Sequence, residues 1–71
     1  MRNAARIKAF GTHLRRLREE AEMSQQDLAD TADIAKITIQ RIENAKYSTT
    51  LDMLVTISKA LKMPLSKLME F

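Results

Sequence analysis

Apolar residues recur at helical spacing in the first third of the chain. Steps of three and four residues separate Ile7, Phe10, Leu14, Leu17 and Ala21. Such a repeat places one apolar stripe along an amphipathic helix. The pattern predicts a first helix from about Asn3, with charged side chains on its other faces. Gly11 lies inside this stretch, where glycine costs up to about 1 kcal/mol relative to alanine. We therefore expect another helix to approach closely there.

A second helical signal begins at Ser24. Its hydroxyl suits an N-cap, and Asp27 places a carboxylate in the first turn, where unpaired backbone N–H groups favour it. Small or apolar positions then form two short sets on either side of Asp33, namely Leu28, Ala29, Ala32, Ile34, Ile39 and Ile42. The pattern predicts a helix over about 25–31, a tight turn, and another helix over about 35–44.

The remaining apolar pattern predicts two further helices. Thr50 suits the N-cap of the fourth, whose stripe contains Leu51, Leu54, Ile57, Ser58 and Leu61. Pro64 then opens a short fifth helix that extends to Met69, since proline fits a first helical turn. No alternating strand pattern, repeat or low-complexity stretch is present. The prediction is one all-α domain of five helices covering residues 1–71, in which about 1–4 form a mobile tail.

Composition excludes several classes of site. The chain has no cysteine, which excludes disulfides and thiolate metal sites, and the single histidine, His13, cannot form a histidine-based site. We expect no cofactor and no enzymatic activity, because no nucleophile, base and orienting group are seen together. No apolar run approaches the roughly 20 residues that span a bilayer. A cytoplasmic protein without membrane contact is the expectation.

Charge is segregated along the chain. The formal net charge is +3, and the sequence pI is about 9.6. Residues 1–18 contain six basic side chains and no acid, whereas residues 19–33 contain six acids and no base. Lys36, Arg41 and Lys46 then return positive charge. A fold that turns the acidic segment aside would leave a basic face suited to a polyanion.

Several arginines of the first helix have no evident role in the core. Arg15 and Arg16 each precede a glutamate by four residues, a spacing typical of weak surface pairs, so we expect both on a solvated face. Arg2 and Arg6 lie near the start of the helix, where positive charge opposes the helix dipole. Two interpretations stay open for that pair, a solvated and partly mobile start of the chain or contact with an external phosphate.

Two motifs at fixed spacing carry a resemblance to a known family. They read S-Q-x-x-L-A over residues 24–29 and I-x-R-I-E-N-x-K over residues 39–46. The segment resembles the helix-turn-helix of the phage-repressor-like family, the Cro/C1 or XRE type. The resemblance implies a five-helix, lambda-repressor-like domain whose second and third helices form the motif. It also implies a sequence-specific transcriptional regulator that binds double-stranded DNA in the major groove, on the nucleoid.

The resemblance assigns base contacts to one face of the third helix. The implied residues are Lys36, Ile37, Gln40 and Arg41. Lysine and arginine donate to guanine O6 and N7, glutamine pairs with adenine, and an apolar side chain covers a thymine methyl. Ile37 keeps a second interpretation, as a core residue, because it is apolar on an otherwise polar face.

Other residues are expected to hold the DNA backbone or support the motif. Gln25, at the start of the second helix, is suited to bind a phosphate together with the helix-end N–H groups. By resemblance, further phosphate contacts fall at Thr38, Asn44, Lys46 and Tyr47. The resemblance also implies an ion pair between Arg18 and Glu43 that ties the first helix to the third.

Three positions where the family commonly has glycine carry other residues here. They are Asp33 in the turn, Ala45 after the third helix and Lys62 after the fourth. A left-handed backbone costs a non-glycine residue roughly 1 kcal/mol, and aspartate tolerates it better than alanine. We expect Asp33 to keep the turn. At Ala45, either a left-handed turn forms or the third helix continues further.

The C-terminal segment carries more apolar surface than one small domain easily buries. Leu65, Met69 and Phe71 are the predicted two-fold interface, in line with dimerisation through C-terminal helices in the family. A homodimer would place two recognition helices about 34 Å apart and read a near-palindromic operator. Repression is the simplest outcome. No small-molecule effector is expected, because no second domain is evident.

Two other functions stay open at this stage. One is a protein-interaction module that keeps the fold without reading DNA. The other is a restriction-modification controller or an antitoxin, since both kinds of protein use the same fold at this length. The basic and amide side chains of the third helix favour DNA recognition over the interaction module.

Overall fold

The computed structural model describes residues 3–71, in which five helices and no strand are present. The helices are α1 (Ala4–Glu20), α2 (Gln25–Ala32), α3 (Lys36–Glu43), α4 (Leu51–Ala60) and α5 (Leu65–Leu68). The predicted all-α fold is confirmed, with helix boundaries within one residue of the prediction for α2 and α3. Over this range no helix is both long and apolar enough to cross a membrane.

Side-chain caps fix where three of the helices begin. Ser24 Oγ accepts a hydrogen bond from the Asp27 N–H at 2.9 Å, and Asp27 Oδ2 accepts one from the Ser24 N–H at 2.8 Å. This reciprocal pair satisfies two N–H groups that a helix start leaves open. Thr50 caps α4, as predicted, and Asn3 caps α1. The first helix thus begins within the segment predicted to form a tail, while residues 1 and 2, Arg2 included, lie outside the described residues.

Four helices end in a left-handed residue that is not glycine. The φ angles are 59° at Glu22, 56° at Asp33, 60° at Ala45 and 56° at Lys62. After α3, the N–H of residue 46 donates to the carbonyl of residue 41 at 2.7 Å, and that of residue 45 to the carbonyl of residue 42 at 3.1 Å. This double closure is a Schellman turn. The expected turn at Asp33 is confirmed, and α3 ends at Glu43 instead of continuing through Ala45.

The core draws at least one fully buried side chain from each helix. These residues are Leu14, Leu28, Ile39, Ile42, Ile57 and Leu68. Two members of the predicted apolar stripes are exposed to solvent. Ala21, which follows the last residue of α1, is exposed, and Leu51, the first residue of α4, is 69% exposed.

Gly11 allows α1 to cross directly over the end of α3. A Cβ atom built on Gly11 would lie 2.6 Å from the carbonyl oxygen of Ile42 and 2.8 Å from that of Glu43. Both distances are shorter than van der Waals contact, so no side chain fits there without movement of the backbone. The close approach predicted from a glycine inside a helix is confirmed.

The C-terminal segment folds back onto α1. The ring of Phe71 lies 5.2 Å from that of Phe10, and the Arg6 guanidinium lies 4.3 Å from the Phe71 ring centroid. Arg6 also donates to the Phe71 carbonyl. His13 Nε2 donates to the Lys67 carbonyl at 3.2 Å, which joins α1 to α5. Arg6 therefore contacts the C-terminal residue of its own domain and does not belong to a solvated tail.

The C-terminal segment exposes less apolar surface than its sequence suggested. Leu65 and Phe71 are half-buried and pack against the core of their own domain. Met69, in contrast, is 41% exposed. Of the three predicted interface residues, Met69 is the one that presents substantial apolar surface.

Candidate nucleic-acid interface

One face of α3 is buried and the other presents the predicted base-contacting residues. Ile39 and Ile42 point into the core against α1 and α2. Residues Lys36, Ile37, Gln40 and Arg41 follow the i, i+1, i+4, i+5 spacing that places them on one side of the helix. All are exposed except Gln40, which is half-buried. The α3 surface combines two cations, an amide and an aliphatic side chain.

Ile37 is 50% exposed, which decides between its two interpretations. It does not belong to the core. A β-branched apolar side chain on a polar helix face gains nothing from solvent, and its branched methyl groups suit contact with the methyl group of thymine.

A buried carboxylate fixes the C-terminal end of α3. The Glu43 side chain is 0% exposed and accepts two hydrogen bonds from Arg18, Nε to Oε2 at 2.7 Å and Nη2 to Oε1 at 3.0 Å. Nη1 of Arg18 donates to the Met23 carbonyl at 2.8 Å, in the connection before α2. This fork geometry restricts the guanidinium to one orientation. The pair therefore joins α1, the start of the motif and α3.

Two more donors converge on the same carboxylate. Gln25 Nε2 lies 3.1 Å from Glu43 Oε1, and Arg15 Nε lies 3.3 Å from that oxygen. Arg15 Nη2 also donates to Asn44 Oδ1 at 3.1 Å. Arg15 is exposed, as expected, but its hydrogen bonds go to Glu43 and Asn44 across the Gly11 crossing and not to Glu19 on its own helix. Sequence spacing held a signal for it, since Arg15 lies three residues before Arg18 and so shares its face.

The network keeps Glu43 ionised. Burial by itself would raise the pKa of Glu43, but hydrogen bonds from Arg18, Gln25 and Arg15, with the positive charge of Arg18, outweigh it and hold the pKa below its usual value. The hydrogen bond to Glu43 likewise raises the pKa of Arg18 despite burial. Within the described part of the chain, every buried side-chain nitrogen and oxygen has a hydrogen-bond partner.

The remaining predicted phosphate contacts lie at both ends of α3, with Thr38 in its first turn and Asn44, Lys46 and Tyr47 after its last residue. Asn44 and Lys46 are exposed, whereas Thr38 and Tyr47 are half-buried. The Tyr47 side chain packs against the core. The Schellman turn at Ala45 sets the direction in which the chain carries Lys46 away from α3.

Other kinds of site find little support in residues 3–71. No group of three or more histidine, aspartate or glutamate side chains there is placed to hold a metal ion. An open groove of about 530 Å³ lies between α1 and the C-terminal segment, and Lys8, Thr12, Arg16 and Phe71 are among its lining residues. This groove is on a different part of the surface from the residues around Glu43.

Comparison with known proteins agrees with this geometry. A family model described as helix-turn-helix matches residues 14–68. Among solved structures, the fold is similar to the restriction-modification controller protein C.AhdI from Aeromonas hydrophila, with a TM-score of 0.88 and 25% sequence identity. That similarity covers 90% of this chain and 97% of the controller chain. A search of curated proteins gave no match. The chain therefore belongs to the helix-turn-helix family of DNA-binding regulators, the Cro/C1 or XRE type that its two motifs predicted.

Proposed function

We propose that this chain is a homodimeric transcriptional repressor that reads a near-palindromic operator with α3 in the major groove. The observation that carries the proposal is the division of α3 into two faces. One face is locked to α1 and α2 by buried isoleucines and by Glu43, while the other presents Lys36, Ile37, Gln40 and Arg41. A rigid helix with exposed hydrogen-bond donors is what direct readout requires. The role needs no catalysis and no cofactor, and its place is on DNA in the cytoplasm.

Each base-contacting residue has a distinct part in this proposal. Lys36 and Arg41 donate to guanine O6 and N7, with Arg41 able to make both bonds at once. Gln40 pairs with the N6 and N7 edge of adenine. Ile37 covers a thymine methyl group. The operator half-site is therefore expected to contain both G·C and A·T pairs at fixed positions.

Gln25 can serve the DNA backbone without leaving Glu43. Its amide nitrogen carries two N–H donors, of which one points at Glu43 Oε1. The second donor remains for a phosphate oxygen. The hydrogen bond to Glu43 then acts as a support, because it fixes the amide before DNA arrives and reduces the entropy lost on binding. Thr38, Asn44, Lys46 and Tyr47 complete the proposed set of phosphate contacts.

The proposed dimer rests on the C-terminal segment. Leu65, Met69 and Phe71 form the proposed interface, with Met69 as its exposed centre. A two-fold axis there would place two copies of α3 about one DNA turn apart. Small domains gain from such a partner because their own core buries little apolar surface.

One more specific function has support from the structural comparison. The fold matches a restriction-modification controller over nearly the whole of both chains. We therefore keep control of a restriction-modification gene pair as the second candidate. It uses the same α3 surface, and it differs in which operator is bound and in whether binding also activates transcription.

Selection of binding sites from random duplexes tests the proposal. The full chain is expected to enrich a two-fold symmetric site, and affinity for that site should fall steeply as salt increases. The Gln40→Ala and Arg41→Ala variants should each lose about 1–3 kcal/mol of binding free energy and relax preference at one base pair. Failure to enrich any sequence would instead favour a protein-interaction module, and an equal loss on all sequences would make the substituted residue a phosphate contact.

A further inference from the structure

We infer that Arg15 is a DNA phosphate contact and that it also orients Asn44 for the same stretch of backbone. The inference rests on the proposed function and adds a residue that neither motif contains. Arg15 lies on α1, outside the helix-turn-helix, and reaches α3 only because the two helices cross closely at Gly11.

The hydrogen bonds of Arg15 leave most of its guanidinium available. Nε donates to Glu43 Oε1 and Nη2 donates to Asn44 Oδ1, at 3.3 and 3.1 Å. A guanidinium has five N–H donors, so about three remain. The Arg15 side chain is 46% exposed, whereas that of Arg18 is 10% exposed and uses all three of its nitrogens within the domain. Arg18 is a structural residue, and Arg15 is held in place yet open to an anion.

The position of Arg15 matches that of two proposed phosphate contacts. Arg15 Nε and Gln25 Nε2 donate to the same oxygen of Glu43, so both groups lie within hydrogen-bond distance of one atom. Asn44 is bonded to Arg15 directly. Because Asn44 Oδ1 accepts from Arg15, this bond fixes the amide group and leaves the two N–H donors of its nitrogen unused by Arg15.

Charge favours an anion at this point. The carboxylate of Glu43 is 0% exposed and is neutralised by Arg18, so it presents little negative charge to an incoming phosphate. Arg15 then contributes a net positive charge at the surface. Its position is fixed before binding, which is the arrangement that bidentate recognition of a phosphate requires.

Arg16 provides a matched control on the next residue of the same helix. It is exposed and lines the groove formed with Phe71, away from Glu43. Arg15→Gln and Arg16→Gln therefore remove the same charge from neighbouring positions on different faces. A purely long-range electrostatic effect would be similar for the two variants, whereas a direct phosphate contact affects only the first.

The experiment measures affinity for the selected duplex across a salt series for the wild type and both variants. Arg15→Gln should reduce the slope of log K against log salt by about 1.8 for the bound dimer, the value of two phosphate contacts, one in each half-site, with an unchanged selected sequence. Arg16→Gln should leave the slope close to that of the wild type. Equal slopes for the wild type and Arg15→Gln would overturn the inference. If the wild type binds no duplex at all, the proposed function fails first.

Arg15→Lys separates a phosphate contact from a structural role. Lysine keeps the charge but lacks the rigid fork that joins Glu43 to Asn44. The salt slope should return to nearly that of the wild type. Asn44→Ala should weaken binding severalfold in the wild type but by much less in the Arg15→Lys background. Arg15 would be a structural residue alone if its variants lowered folding stability but kept the wild-type salt slope, and if Asn44→Ala weakened binding equally with arginine and with lysine at position 15.

Discussion

Arg18 and Glu43 face each other across the interface between α1 and α3 through two nearly parallel hydrogen bonds, 2.7 and 3.0 Å long. Both side chains are removed from solvent almost completely. A buried pair of this kind costs desolvation energy that offsets much of its Coulomb attraction, so its main effect is on geometry. Here it fixes how the end of α3 packs against α1.

Replacing one partner of the Arg18–Glu43 pair should lower the free energy of unfolding more than replacing both partners by apolar residues. Arg18→Met leaves Glu43 buried without its strongest donors and should lower the free energy of unfolding by about 3 kcal/mol. The double variant Arg18→Met, Glu43→Leu should be more stable than Arg18→Met alone, because no carboxylate remains buried. Urea denaturation of the four proteins in the cycle measures both effects. Strictly additive losses would contradict the coupling.

The Glu43 carboxylate should make folding stability depend on pH in the acid range. Its pKa is lower in the folded than in the unfolded protein because Arg18, Gln25 and Arg15 hydrogen-bond to the charged form. Such a group stabilises the fold fully above its unfolded pKa, at about pH 4, and the stabilisation is lost as pH falls through the lower folded value. Denaturation curves from pH 7 down to pH 2.5 should therefore show a steeper decline for the wild type than for Glu43→Gln.

Asp27 provides the necessary control for that measurement. The backbone N–H and the hydroxyl of Ser24 lower the pKa of Asp27 too, so this carboxylate contributes in the same pH range. Asp27→Asn should remove the part of the acid-induced loss of stability that comes from Asp27 and leave the part that comes from Glu43. If Asp27→Asn flattens the profile and Glu43→Gln does not, the acid sensitivity comes from the capping box and not from the buried pair.

Gly11→Ala should destabilise the domain although it improves helix propensity. Alanine is favoured by up to about 1 kcal/mol inside a helix, but its methyl group would meet the Ile42 carbonyl at 2.6 Å. Overpacking against backbone costs about 1–3 kcal/mol, and α1 must move away from α3. Thr12→Ala, at an exposed neighbouring position, should be neutral or stabilising. Thermal unfolding of both variants and the wild type measures these effects. A melting temperature for Gly11→Ala above that of the wild type would contradict the close packing.

Ala45→Gly should stabilise the domain by about 1 kcal/mol. The φ angle of 60° at Ala45 strains a residue with a Cβ atom and suits glycine. The greater freedom of glycine in the unfolded chain offsets part of this gain. Ala9→Gly, in the interior of α1, should instead cost about 1 kcal/mol, because the backbone there is helical. Equal losses for both variants in urea denaturation would mean that Ala45 carries no strain.

Local signals in the sequence predicted most of the fold but only part of the site. Apolar spacing and the caps at Ser24 and Thr50 placed the helices, because these effects act within a few residues. The bond from Arg15 to Asn44 joins residues 29 positions apart, so it depends on how two helices cross. The inward packing of Phe71 likewise depends on a ring contact with Phe10 on a distant helix. Contacts of that kind follow from tertiary packing and have no short-range signature.

The inward position of Phe71 also sharpens the test of the proposed dimer. A Phe71→Asp change would disrupt the domain itself, since that ring packs on Phe10, so Met69→Asp is the better variant. A buried charge at a two-fold axis meets its own copy, and the dimer should dissociate to a monomer in sedimentation velocity at concentrations where the wild type is dimeric. Leu51→Asp adds the same charge at another exposed apolar residue and should leave the dimer intact. An unchanged mass for Met69→Asp, with dissociation of Leu51→Asp, would move the interface to the start of α4.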